Sequence, residues 1–208
     1  MFTQFRNTSE WGPSFWYVFH SSAMLYPDRP TAQLALQMAE LLTIVPDLLP
    51  CPSCQQHARD YIDGIASLSY VCSSRSNLFE FWVTFHNAVN ERLGKRRYDL
   101  ATVYHMYSSG SQQWGPPYWF FLHMTSFAAA ATKPRVYKRF LQLFPILLPT
   151  SEAKQLSIHY IGQQRLDWVS SSDTNIFYFW FQFHNYVNAQ LGKKMLAFER
   201  VKELYKIN

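Results

Sequence analysis

The stretch FWVTFHNAVNERLGK, residues 81–95, decides the fold because it is written twice: FWFQFHNYVNAQLGK occupies residues 179–193. In the first copy Trp82, His86, Val89, Asn90 and Leu93 recur at i, i+4, i+7, i+8 and i+11, which places them on one stripe of a helix with Asn87 beside it. Gly94 is the expected C-terminal stop. Asn77 is the expected N-cap, with Glu80 three residues later. Working outward, WGPSFWYVFH (11–20) returns as WGPPYWFFLH (114–123), and LLPCPSCQQHARDYI (48–62) aligns with LLPTSEAKQLSIHYI (147–161). The order is the same in both halves. The spacing drifts from 103 residues at Trp11/Trp114 to 99 at Leu48/Leu147 and 98 at His86/His184, as two small loop deletions would produce. The chain therefore reads as two homologous units, 1–107 and 108–208, joined near YSSGSQQ.

Each unit reads as helical. Trp-Gly-Pro is expected to open a helix with Pro13 in its first turn, where a missing N–H costs nothing. TAQLALQMAELLTIV (Thr31–Val45) has apolar residues at helical spacing, and Pro46 is expected to stop it. Pro52 starts a third helix that carries Cys54, Ala58 and Tyr61 at i, i+4 and i+7. The fourth helix is the one quoted first. Strand signals are weak, so the expectation is an all-α fold: two consecutive four-helix bundles, the second a pseudo-domain.

The composition allows a genuine core. Of 208 residues, 48% are apolar and 18% aromatic against 16% charged, which excludes a disordered or solvating chain. The net charge of +5 comes from scattered Lys and Arg whose densest cluster is GKRRY at Gly94–Tyr98. One phosphate-binding ligand site would use such a cluster, so no nucleic-acid partner is called for. No apolar run reaches the ~18 residues of a membrane span. MFTQFRNTSEW lacks the apolar centre of a signal peptide, and three cysteines do not make a secreted disulfide scaffold. The expected setting is the cytoplasm or nucleus, with no membrane partner.

Two features carry chemistry. A purely structural stripe would be Leu, Ile and Ala, yet here His86 and Asn90 share the side of Trp82, and Trp16 and His20 stand one turn apart on the first helix. Buried polar groups need partners, which a bound polar molecule can supply; a hydrogen-bonded core is the plainer reading. The other feature is Cys51-Pro-Ser-Cys54. Zinc would want four ligands, drawn from Cys51, Cys54, His57 and Cys72, but the usual second pair is missing. Two inert core cysteines are a second reading. A redox pair fits better: cysteines at i and i+3 on the first turn of a helix can satisfy disulfide geometry. The helix N-terminus stabilises a thiolate at the second of them. So small a loop adds little stability and is cheap to open and re-form.

Together these motifs resemble the Erv/ALR family of FAD-dependent sulfhydryl oxidases, whose pattern runs W-x-x-(L/F)-H, Y-P, C-x-x-C and W-x-x-x-H-N-x-V-N-x-x-L-G-K. This chain shows Trp16 to His20, Tyr26-Pro27, Cys51 to Cys54, and Trp82 through Lys95. The resemblance implies a helical bundle that holds FAD. Cys51 would exchange with substrate dithiols and Cys54 would face the flavin. Trp11, Trp16, His20 and Tyr26 would line the flavin side; Trp82, His86, Asn87, Val89, Asn90 and Leu93 would enclose the adenine and ribose. Lys95, with Arg96 or Arg97 nearby, would meet the pyrophosphate, and Tyr98 would close the set. Electrons would pass from thiol proteins or a small dithiol carrier to FAD and then to molecular oxygen, giving hydrogen peroxide. No metal is implied.

Departures from the family pattern set further expectations. The additional shuttle cysteines of many cellular members are missing, so Cys51–Cys54 would take electrons directly from substrate, and Cys72 has no counterpart in the pattern. The second unit has Thr150 and Ala153 at the cysteine positions but keeps Trp119, His123, Trp180, His184, Asn185, Asn188 and Lys193. It reads as a degenerate copy that would replace a second subunit inside one chain, or offer a surface for homodimers. The duplicated, shuttle-free form resembles versions carried by large DNA viruses, which would set it in a host cell or virion. Two competing readings are a non-enzymatic helical adaptor and a haem or metal protein using His20, His86, His123 and His184.

Overall fold

The structure, a computed structural model, describes residues 7–108, 113–128 and 133–205. Among the described residues there are helices and turns and no strand. The first unit runs α1 (Thr8–Met24), α2 (Ala32–Ile44), α3 (Pro52–Asp63), the single turn α4 (Leu68–Val71), α5 (Arg75–Arg92) and α6 (Leu100–Ser108). The second repeats that order as α7 (Gly115–Thr125), α8 (Pro134–Leu143), α9 (Ser151–Gly162), α10 (Leu166–Val169), α11 (Asp173–Gln190) and α12 (Phe198–Leu204). Each unit thus has the four expected helices, a connecting turn and a short closing helix. Residues 109–112 of the joining stretch, and residues 1–6 of the stretch read for a signal peptide, lie outside the described residues. No helix of the described residues is long and apolar enough to cross a membrane.

Local chemistry sets most boundaries where expected. Thr31 caps α2, accepting from Leu34 N at 3.2 Å. The chain then tightens into a 3-10 turn, Val45–Leu48, that accommodates Pro46. Gly94 and Gly192 take φ of +64° and +63° after α5 and α11, the left-handed conformation that favours glycine. Two starts differ from expectation. The first helix begins at Thr8, capped by Asn7, so Pro13 lies inside it. The corresponding helix α7 does begin beside its proline, Pro116. Ser74, not Asn77, caps α5; Asn77 instead turns its amide to Tyr70 O and Ser73 Oγ at 3.0 and 2.9 Å. Local propensity favoured Asn77, but Ser74 lies in extended backbone at φ −158°, as a cap requires.

The two units pack through α1 and α7. Phe121 meets Phe15 edge-on at 4.7 Å and Phe19 at 5.8 Å, and the Tyr118 hydroxyl lies 3.1 Å from Ser21 Oγ while donating to Leu147 O at 2.8 Å. Aromatic rings fill both cores: Trp82 stacks on Phe19 at 4.2 Å, and Trp180 donates to Tyr137 Oη at 2.7 Å. Both indoles are buried.

Candidate functional site

The site begins with a cap. Cys51 sits in extended backbone (φ −135°, ψ 114°) at the N-cap of α3, and its sulfur accepts from Cys54 N at 3.3 Å. The same two residues form the disulfide, with Cα atoms 5.1 Å apart. In the second unit Thr150 caps α9 in the same way, accepting from Ala153 N at 3.1 Å. A hydroxyl therefore does the structural part of what Cys51 does, and the sulfur–sulfur bond is surplus to the fold.

Cys54, but not Cys51, borders a cavity of about 650 Å³ between α1, α3, α5, the turn at 93–98 and the end of α6. Trp11 and Trp16 line it from α1, and His86, Val89 and Asn90 from α5, with Leu93, Lys95 and Tyr98 of the following turn completing the predicted set that it gathers. The other four predicted residues lie off its wall. Trp82 belongs to the core. His20 stands behind His86. Asn87 donates to Tyr98 O at 2.7 Å and accepts from Tyr98 N at 2.9 Å, so it pins the turn instead of facing the cavity. Tyr26 is buried, its hydroxyl donating to Cys72 O at 2.9 Å and its carbonyl accepting from Arg75 Nε at 2.7 Å.

One wall is flat and aromatic. Trp16 and His86 stack at 4.0 Å and 9°, and His86 Nδ1 lies 3.0 Å from His20 Nε2. Burial, and secondarily Lys95, pushes His86 down to about 4; burial, and secondarily His86, pushes His20 down to about 3. Both imidazoles are therefore neutral at pH 7, and one N–H donates between them. Trp11 Nε1 is buried with no protein partner among the described residues, which leaves a donor at the cavity wall. His20 Nδ1 is orphaned in the same way. The rim is cationic: Arg92, Lys95 and Arg96 line it, Arg92 Nη1 lies 2.5 and 3.0 Å from the His57 ring nitrogens, and Arg96 sits over Tyr98 at 5.5 Å.

Several lining residues lay outside the sequence reading of the pocket, notably His57, Phe85, Arg92 and Tyr107. For Tyr107 a signal existed, since Tyr205 repeats it 98 positions later and both lie tilted against the buried histidine of their unit, with ring centres 4.9 Å from His20 and 4.6 Å from His123. Cys72 is buried and free, and burial pushes its thiol up to about 12. Among the described residues no group of three or more His, Cys, Asp or Glu is placed to hold a metal ion.

The second unit keeps the stacked pair, Trp119 on His184 at 3.9 Å and 8°, but changes what surrounds it. Leu156, Gln190 and Leu196 stand where His57, Arg92 and Tyr98 stand. Phe144 puts a ring on Trp180, at 5.0 Å, in the place where Val45 borders the cavity.

Known proteins share this sequence pattern. The Erv1 / Alr family pattern matches the chain twice, over residues 13–109 and 116–206. The provisionally named FAD-linked sulfhydryl oxidase 096R of Invertebrate iridescent virus 3 is 44% identical over 97 residues, 47% of this chain and 65% of that protein. The match thus spans just under two thirds of that relative. The FAD-linked sulfhydryl oxidase of African swine fever virus (isolate Pig/Kenya/KEN-50/1950) is 31% identical over 87 residues, 41% of this chain and 70% of its own. Among solved structures, the core of yeast Erv1 is 29% identical with a TM-score of 0.47, covering 51% of this chain and 87% of that one.

Proposed function

The chain belongs to the Erv1/Alr family, and on that premise we propose that it is an FAD-dependent thiol oxidase whose first unit carries the chemistry. One observation carries the reading: of two bonded cysteines, Cys54 borders the cavity and Cys51 does not. One sulfur is thus left to meet substrate and the other to meet a bound group.

The residues present fit FAD. The volume suits a cofactor, for which about 300–1,000 Å³ is typical. The stacked Trp16–His86 wall suits a flat ring system, and Arg92, Lys95 and Arg96 suit the pyrophosphate. The unpartnered Trp11 N–H and Asn90 suit the polar edges of the cofactor, with Val89, Leu93 and Tyr98 around them. His20, Asn87 and Trp82 support that wall and turn from behind, whereas Tyr26 is tied to Cys72 and Arg75.

A substrate thiolate attacks Cys51 Sγ, the Cys51–Cys54 bond breaks, and its electron pair goes to Cys54. The free N–H groups of the first turn of α3 favour that thiolate. A second substrate thiolate then attacks the substrate sulfur of the mixed disulfide and releases Cys51. The substrate leaves as a disulfide, and its two electrons remain on the Cys51–Cys54 dithiol. FAD held beside Cys54 by the cavity residues would supply the two-electron acceptor, with oxygen as the final acceptor and hydrogen peroxide as product. Neutral His86 and His20 leave Lys95 and its arginine neighbours as the positive charge facing the cofactor.

The substrates in this reading are thiol proteins or a small dithiol carrier. The second unit takes the place of a second subunit, and the viral relatives support a setting in a host cell or virion. The test is oxygen uptake with dithiothreitol as the thiol. The wild type should turn over and carry flavin, whereas Cys54→Ala should fall to background with flavin retained. Full activity in Cys54→Ala would overturn the reading.

A further inference from the structure

The contacts between the units are not symmetric, and the asymmetry falls on the helix that carries the disulfide. Across the interface, Arg139 of α8 makes two bonds of 2.6 Å to the carboxylate of Glu40 on α2. These residues occupy equivalent positions in the two copies, 99 apart like Leu48 and Leu147. An interface that brings a position onto its own counterpart is what a two-fold relation produces. Diverged to opposite charges, the counterparts attract.

Toward α3 the relation breaks. Gln55, one residue after Cys54, donates through Nε2 to Leu49 O at 2.8 Å and to Ala128 O of the second unit at 3.2 Å. Asp47, in the turn before Cys51, has a side chain only 10% exposed, and it pairs with Arg59 of α3 and with Lys133 of the second unit. One amide and one carboxylate thus tie the segment before the disulfide, the first turns of α3 and the second unit together. The counterparts of Asp47 and Arg59 are Ile146 and Ile158, which cannot repeat the ion pairs around α9, where no cysteines stand, and Lys154 replaces the amide of Gln55.

We propose that the cysteine-free unit positions the redox helix of the other: Gln55 to Ala128 and Lys133 to Asp47 hold the Leu49–Cys51 turn against α3 so that the two sulfurs meet. This rests on the oxidase reading for its use in turnover, but the positioning itself is a property of the disulfide. None of the side chains of Asp47, Gln55, Arg59 and Lys133 borders the cavity or touches either sulfur. They are positioning residues. Their loss frees the turn and favours the open dithiol over the disulfide.

The test is the equilibrium of the whole flavin-loaded protein with dithiothreitol, without oxygen, in which the Cys51–Cys54 disulfide and dithiothreitol give the protein dithiol and oxidised dithiothreitol. Alkylation and mass counting read the ratio with no need for oxidase activity, so failure of the oxidase reading and failure of this proposal show separately. Gln55→Met and Lys133→Met keep shape and lose the donors. Each should move the equilibrium toward dithiol by about threefold or more, the scale of one lost hydrogen bond. Lys133→Arg should restore it. Lys133 is 47% exposed, so its replacement leaves the core intact. Arg139→Met is the control: it loosens the same interface away from α3 and should lower thermal stability without moving the equilibrium. Unchanged equilibria in both Met variants, or an equal shift in Arg139→Met, would overturn the proposal.

Discussion

The two units are one scaffold carrying different chemistry. Both stack a tryptophan on a histidine at nearly the same distance, 4.0 Å for Trp16–His86 and 3.9 Å for Trp119–His184. Both cap the third long helix with a side chain three residues before the N–H it accepts, a sulfur in Cys51 and a hydroxyl in Thr150. The fold therefore asks only for an acceptor at that cap. What the first unit adds is a second sulfur at Cys54, a cavity beside it and a cationic rim. What the second unit adds is Phe144, Leu156 and Leu196 in the matching places. The units thus differ in the side chains set on the bundle and not in the bundle itself.

The comparison can be broken most strongly at the stacked pairs. Trp16→Ala should reduce retained flavin about tenfold by removing one face of the cavity wall. Trp119→Ala should leave flavin content unchanged. Both should cost about 2–3 kcal/mol of stability, read from urea unfolding beside the flavin absorbance. Equal flavin loss from both variants would give the second unit a cofactor site and undo the contrast.

Acid should act on the units alike. His20 and His123 are both buried, and burial holds each well below its ordinary value of 6.5, His20 at about 3. Between about pH 6.5 and 3 the unfolded chain takes up a proton that folded His20 does not. Stability is therefore full above that window and falls as the pH drops through it. For His20 the loss at pH 5 is on the order of 2 kcal/mol. Urea midpoints at pH 7 and 5 measure it, and a midpoint that rises on acidification would contradict the assignment of neutral histidines. The smallest effect belongs to Cys72, buried where the second unit has Ser170. Cys72→Ala should change stability by about 1 kcal/mol or less and leave thiol oxidation unaltered, checked by the same two assays.

Much of this was legible in the sequence because repetition compares the chain with itself. The doubled H-N-x-V-N-x-x-L-G-K helix placed Trp82, His86 and Asn90 on one face, and the second copy, which lacks both cysteines, showed that the scaffold does not need them. Helix starts were less legible. Pro13 marks a first turn in isolation, but Asn7 offers a cap one turn earlier, and the corresponding Pro116 does begin its helix. Residues that act through distant partners were hidden. Tyr26 answers to Cys72 and Arg75, and Asn87 to a turn eleven residues away, so a motif alone assigns both to the cavity. The pairs Glu40–Arg139 and Asp47–Lys133 join segments 99 and 86 residues apart, beyond any local pattern.

The most direct measurement mixes the flavin-loaded protein with excess dithiol in the absence of oxygen and follows the flavin absorbance. The account predicts rapid bleaching in the wild type, and in Cys54→Ala a flavin that stays bound and oxidised over the same interval. Bleaching of Cys54→Ala at the wild-type rate would mean that electrons reach the cofactor without this disulfide, and the central claim would fall.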